Sequence, residues 1–159
     1  MSDQLDIADR YEIIETCTRM GQLIDNRRWE ELSEIFADSF AIDYTSVFGG
    51  TTARITPADM VTNSRLLLGR LDATQHLVAG HIVTGRGDNA SCVSQVQATH
   101  VRPSTTGDPH WTVGAQYDMD LIRTPAGWRI SSLKATMRWA TGNREVMRLG
   151  KVRPDDNQA

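Results

Sequence analysis

The chain has 159 residues, 40% of them hydrophobic, enough for one domain with a real core and too few for two. Its 17 basic and 20 acidic residues give a formal charge of -3, and no run of like charge forms a basic face for a phosphate backbone, which argues against nucleic acid as a partner. The opening MSDQLDIADRYEIIE lacks the regions of a signal peptide, and no apolar run approaches the roughly 20 residues of a membrane span, so the expectation is a cytoplasmic protein without membrane contact.

From Leu5 to Ile24, the residues Ile7, Tyr11, Ile14, Cys17, Gly21 and Ile24 recur at steps of three and four, which predicts a helix with one buried face that Asp25 extends. A second, short helix is predicted over Arg28 to Phe36 on the period of Trp29, Leu32, Ile35 and Phe36. Phe40, Ile42 and Tyr44 then alternate with Ala41, Asp43 and Thr45, as in a strand with one inward face. The third helix has a clear start: Thr56 caps it, Pro57 suits its first turn, and Asp59 completes a variant of the capping box ahead of Met60, Leu66 and Leu67. After it the period becomes two. His76 to Thr84, Ala90 to Arg102, His110 to Arg123 and Trp128 to Trp139 read as strands, broken at Gly85-Arg86-Gly87-Asp88, Pro103 to Pro109 and Pro125-Ala126-Gly127. Three successive hairpins after three N-terminal helices predict an α+β domain, the helices packed on one side of a strongly curved, mostly antiparallel sheet. The domain is expected over residues 1–142. Residues 143–159 read as a tail with one helical turn around Glu145, Val146, Met147 and Leu149 before the polar RPDDNQA, placed either to close a pocket or to stay mobile.

Four side chains carry candidate chemistry: Asp25, Tyr44, His76 and His100. An imidazole titrates near neutral pH and takes a proton from carbon if its tautomer is held, and a carboxylate holds it by accepting from the other ring nitrogen. By residue type alone, His76 and Asp25 read equally as a buried contact fastening the long helix to the sheet. His100 shares a strand face with Cys92, Val96 and Ala98, so it is either a satisfied core residue or a group that protonates a leaving hydroxyl or holds the substrate. Tyr44 is either core or a hydroxyl that polarises a carbonyl as an enolate develops. Asp43 faces away from Tyr44. His81 lies an odd number of positions from His76 and points to the other face unless a bulge intervenes, and His110 sits at a turn.

Trp111, Val113, Ala115, Tyr117 and Met119 share one face of their strand, and Leu133, Met137 and Trp139 share one on the last; both stripes suit a cavity wall or plain core. Trp111, Tyr117, Met119 and Trp139 are the candidate substrate contacts. Arg129 and Arg138 fall on opposite faces, so at most one points inward. No H-x-H or H-x-x-x-H spacing suggests a metal, no glycine-rich loop suggests a nucleotide, and Cys17 and Cys92 read as buried free thiols. No cofactor is expected.

The stretch Asp25-Asn26-Arg27-Arg28-Trp29-Glu30-Glu31-Leu32 at the end of the first helix resembles the D-x-R-x-W-x-x-L of SnoaL-like proteins in the nuclear transport factor 2-like superfamily. Phe40-Ala41-Ile42-Asp43-Tyr44, Thr74-Gln75-His76-Leu77-Val78 and Gly127-Trp128-Arg129-Ile130-Ser131 follow in the family's order, so the resemblance covers about Leu5 to Trp139. It implies a cone of curved sheet and three helices with a pocket at the wide mouth, and homo-oligomers, often trimers. At the site the chain is most similar to scytalone dehydratases, which match it at Asp25, Tyr44, His76 and His100. It departs from them at Leu23 and Ile24, where they place a second tyrosine, and from the dehydrochlorinases at Arg19 and Met20, where those place a lysine. The resemblance therefore implies a cofactor-independent lyase, or dehydratase, acting on a hydrophobic cyclic carbonyl compound. The alternatives are an isomerase or cyclase of a polyketide or steroid-like compound and, in another class, a non-catalytic binding or assembly domain.

Overall fold

A computed structural model of the chain describes residues 4–103 and 107–148. Helix α1 (Ile7–Asp25) starts where the Asp6 carboxylate accepts from Asp9 N–H, and α2 (Trp29–Ser33) follows after one turn. Strand β1 (Phe36–Asp43), the single turn α3 (Thr45–Phe48), strand β2 (Ala53–Ile55) and helix α4 (Pro57–Leu67) complete the first part. Four long strands come next: β3 (Ala73–Arg86), β4 (Asn89–Val101), β5 (His110–Thr124) and β6 (Gly127–Gly142). A 3₁₀ turn spans Arg144–Met147, with Val146 buried, and Leu149 and RPDDNQA of the expected tail lie outside the described residues.

The six strands form one mixed, curved sheet in the order β2-β1-β6-β5-β4-β3. Every neighbour pair is antiparallel except β1 and β6, which run parallel with Ile42 opposite Leu133. The α+β architecture and the mostly antiparallel sheet agree with expectation, as does the capping box of α4, where the Thr56 hydroxyl accepts from Asp59 N–H and the Asp59 carboxylate from Thr56 N–H.

Four points differ from the sequence reading. Among the described residues there are four helices, not three, because α3 is too short for a periodicity to register, and β2 is missed for the same reason. The second helix stops at Ser33, and Phe36 opens β1 instead, stacked on Phe40 at 4.3 Å. The buried face of α1 runs through Ile13, Cys17, Met20 and Ile24, while Ile7 and Tyr11 stand exposed. Tyr44 lies just beyond β1: the Asp43 carboxylate accepts from Thr45 N–H and Oγ1–H, and that local turn ends the strand. Tyr44 still lines the same cavity as Ile42 of β1.

Candidate active site

Helix α1 rests mainly on β3, and Gly21 permits the approach: a methyl group there would sit 2.7 Å from His76 Cβ. One turn later the same helix face delivers Asp25 to the start of β3. Its carboxylate accepts from the Thr74 hydroxyl (2.9 Å), from His76 N–H (2.7 Å) and from His76 Nδ1–H (2.7 Å). An ionised carboxylate only accepts, so Nδ1 carries a ring hydrogen, and in the neutral imidazole Nε2 is the nitrogen with the free lone pair. Burial pushes the Asp25 carboxyl up, but His76 and Thr74 together outweigh it and hold the pKa below the ordinary value.

Arg27, in the left-handed region at φ 57°, braces this corner by donating to Ile24 O, Thr74 Oγ1 and Leu71 O. Arg27 and Thr74 escaped notice as site residues, although both stand inside the motifs that carry the family resemblance.

His76 lines a cavity of about 170 Å³ together with Tyr44, His100 and Tyr117. The imidazoles of His76 and His100 meet edge to face, their centroids 6.0 Å apart. His100 Nδ1 lies 3.1 Å from the Trp111 carbonyl, which only accepts, so here too Nε2 is the unprotonated nitrogen. Burial pushes the His100 pKa down to about 4 against the hold of that carbonyl, so His100 is a neutral acceptor at pH 7, which suits holding a substrate hydroxyl better than protonating it. Burial raises the Tyr44 pKa to about 12, partly offset by the neighbouring Tyr117 hydroxyl, and Tyr117 is pushed up further still. Both phenols therefore remain protonated donors. The remaining wall is apolar, with Ile24 from α1, Val96 and Ala98 from β4, and Val113 and Ala115 from β5. Met60, Asn63 and Ser64 reach it from α4. Among the described residues, no Asp, Glu, Lys or Arg lines it.

Of the expected substrate contacts, Tyr117 faces the cavity. Trp111 and Met119 point inward but are packed as core; Trp111 forms the floor beneath His100 and Phe48, at 5.3 and 6.3 Å. Trp139 lies on the opposite face. The β5–β6 register shifts between Ala115↔Met137 and Gly114↔Trp139, so one extra residue in β6 turns Trp139 outward over Gly114. A similar bulge moves His81. The β3–β4 register shifts between Ala79 and Ile82, bringing His81 back to the helix side, where its Nε2 meets Thr18 Oγ1 at 3.1 Å. Burial lowers its pKa, and it stays outside the cavity. His110 is exposed and bonded to Asp108, Arg138 donates to Gln116 on the outer face, and Arg129 donates to Trp128 O. No cluster of three metal-ligating side chains occurs among the described residues. None of their helices is long and apolar enough to cross a membrane.

Residues 6–134 match the model of the SnoaL-like domain. An uncharacterised protein of Mycobacterium tuberculosis is 30% identical over 128 residues, covering 79% of this chain and 82% of that protein. The crystal structure of the Kfla4162 protein from Kribbella flavida has 33% identity and a TM-score of 0.81, covering 84% of this chain and 93% of the other. A provisionally named scytalone dehydratase from Novosphingobium aromaticivorans shares the fold at 17% identity and a TM-score of 0.72, covering 86% and 89%. The family match over most of the chain, on a helix-lined cone of the same fold, makes this protein a member of the SnoaL-like domain family.

Proposed function

We propose that the protein is a cofactor-independent lyase that dehydrates a hydrophobic cyclic β-hydroxy carbonyl compound. The observation that carries this reading is the Asp25–His76 pair at the wall of an uncharged cavity, with His76 Nε2 the nitrogen left for a ligand. In the proposed step Nε2 takes the proton from the α carbon, and the C–H electrons form the enolate, whose oxygen accepts from the phenol of Tyr44 or Tyr117. Asp25 stabilises the imidazolium so formed. The enolate then expels the β-hydroxyl, which leaves as water with the proton that His76 returns. His100, neutral and presenting Nε2, accepts from that hydroxyl beforehand and orients it. Fold similarity to the hexachlorocyclohexane dehydrochlorinase LinA Type2, at 17% identity and a TM-score of 0.71, is consistent with elimination chemistry in this architecture. An isomerase or cyclase would begin with the same proton abstraction and return the proton to another carbon.

The test is NMR-detected deuterium exchange at the α carbon of cyclic β-hydroxy ketones in heavy water. Wild type should exchange the proton and release water, and His76→Ala should do neither while keeping its fold. Binding without exchange in wild type would leave a binding domain. We also infer a homo-oligomer, a trimer by family resemblance, joined through the sheet face away from α1. Leu77 and Trp139 stand exposed there in one cross-strand row with Gln97 and Gly114, and light scattering reads the mass.

A further inference from the structure

The cavity has a second polar pole that the proton chemistry leaves unused. Ser64 and Asn63 line it from α4, which rests on α2 and β1. Both side chains reach the cavity from α4, an element other than the α1 and β3 that supply the Asp25–His76 pair. Neither has a hydrogen-bond partner among the described residues. Ser64 is 6% exposed, yet the side-chain atom fully sealed without a partner is Ser94 Oγ, so the Ser64 hydroxyl opens onto the cavity space. Asn63 is exposed and stands at the rim. A buried hydroxyl facing an otherwise apolar wall awaits a polar atom of the ligand, because leaving it dry and unpaired is unfavourable.

Size narrows the ligand further. The 170 Å³ cavity is close to the engineered apolar cavity of about 150 Å³ that accepts one benzene. A six-membered ring is of the size this space accepts, and a fused second ring would extend toward its open side. Among the described residues no Asp, Glu, Lys or Arg lines the space to offset a charged substituent, which favours an uncharged ligand.

Resting on the site reading above, we propose that the substrate is an uncharged single-ring ketone with a second oxygen besides the reacting carbonyl, and that Ser64, with Asn63 at the rim, binds that oxygen. The multi-ring polyketide and steroid-like compounds of the alternative reading would reach beyond a space of this volume.

Calorimetry and amide chemical-shift mapping with cyclohexanone, 4-hydroxycyclohexanone, cyclohexane-1,4-dione and 1-decalone test it on the full chain. Wild type should bind the two doubly oxygenated rings about tenfold more tightly than cyclohexanone, and decalone most weakly. Ser64→Ala should erase the tenfold preference without changing cyclohexanone affinity, and Asn63→Ala, a surface change that spares the fold, should reduce it in part. Equal affinity for singly and doubly oxygenated rings, a preference that survives Ser64→Ala, or tighter binding of decalone would overturn the proposal. The lyase reading is read separately from exchange. Ring selectivity without His76-dependent exchange sinks the lyase and sustains this inference, whereas exchange with decalone-type rings favoured does the reverse.

Discussion

Helix α1 carries an aspartate at each end, and the two do different work. Asp9 accepts from both Arg123 terminal nitrogens, at 2.6 and 2.8 Å, and from Trp128 Nε1–H. The Arg123 guanidinium, also stacked over the Trp128 ring at 4.6 Å, holds the Asp9 pKa down to about 2. Asp25 is engaged as fully, but by a histidine whose second nitrogen looks into a cavity. An arginine does not release its proton at accessible pH, so the Asp9 end is a fastening. A histidine exchanges its proton there, so the Asp25 end has the parts of a base. The partner, more than the carboxylate, sets the role.

The sharpest way to break this contrast is His76→Ala or Asp25→Asn, each expected to lower the exchange rate by about 10²–10⁴ with little loss of fold. If either variant turns over at the wild-type rate, the two ends of α1 are alike and both structural. The next effect is on pH. With a folded pKa of about 4 against an ordinary 6.5, His100 stays neutral in the fold while the unfolded chain binds a proton between those values. Its contribution is fully favourable above pH 6.5 and lost as pH falls toward 4, by up to about 3 kcal/mol. Urea midpoints at pH 7 and 5 should differ accordingly, and His100→Asn should flatten the difference.

Gly21→Ala follows, because its methyl would press on His76 Cβ at 2.7 Å. Prising α1 off β3 should cost about 1–3 kcal/mol and lower exchange as well, by displacing Asp25. The smallest expected effect is Arg123→Gln at the other end: a slightly lower melting temperature, since the pair is partly solvated, with exchange unchanged. A loss of exchange in Arg123→Gln would show that the fastening also tunes the site.

Much of the fold was legible because long elements repeat their pattern often enough to be read. Nineteen residues of α1 and the four long strands announce themselves by period, and Thr56, Pro57 and Asp59 name a helix start. A four-residue turn such as α3 and a three-residue strand such as β2 carry too few repeats to show. At the site, Asp25, His76, His100, Tyr44 and Tyr117 were singled out beforehand, and the structure gathers all five around one corner of the domain. Ser64 carries no signal of its own in the sequence, because a single serine within a helical segment has no period and its burial depends on what packs over α4.

By itself the sequence determined the domain class, the order of helices and strands, and the motif that joins Asp25 to His76 in a known family, because those depend on local period and residue identity. Which face a strand residue takes was decided by tertiary structure. Parity counts residues, and one extra residue in β3 and another in β6 reverse His81 and Trp139, which shows only in the pairing with neighbouring strands. Tertiary structure also separated wall from core. Tyr117 and Met119 share a strand face, yet the first borders empty space and the second is covered, because that depends on how far the curved sheet and α4 stand apart, a distance no single segment contains.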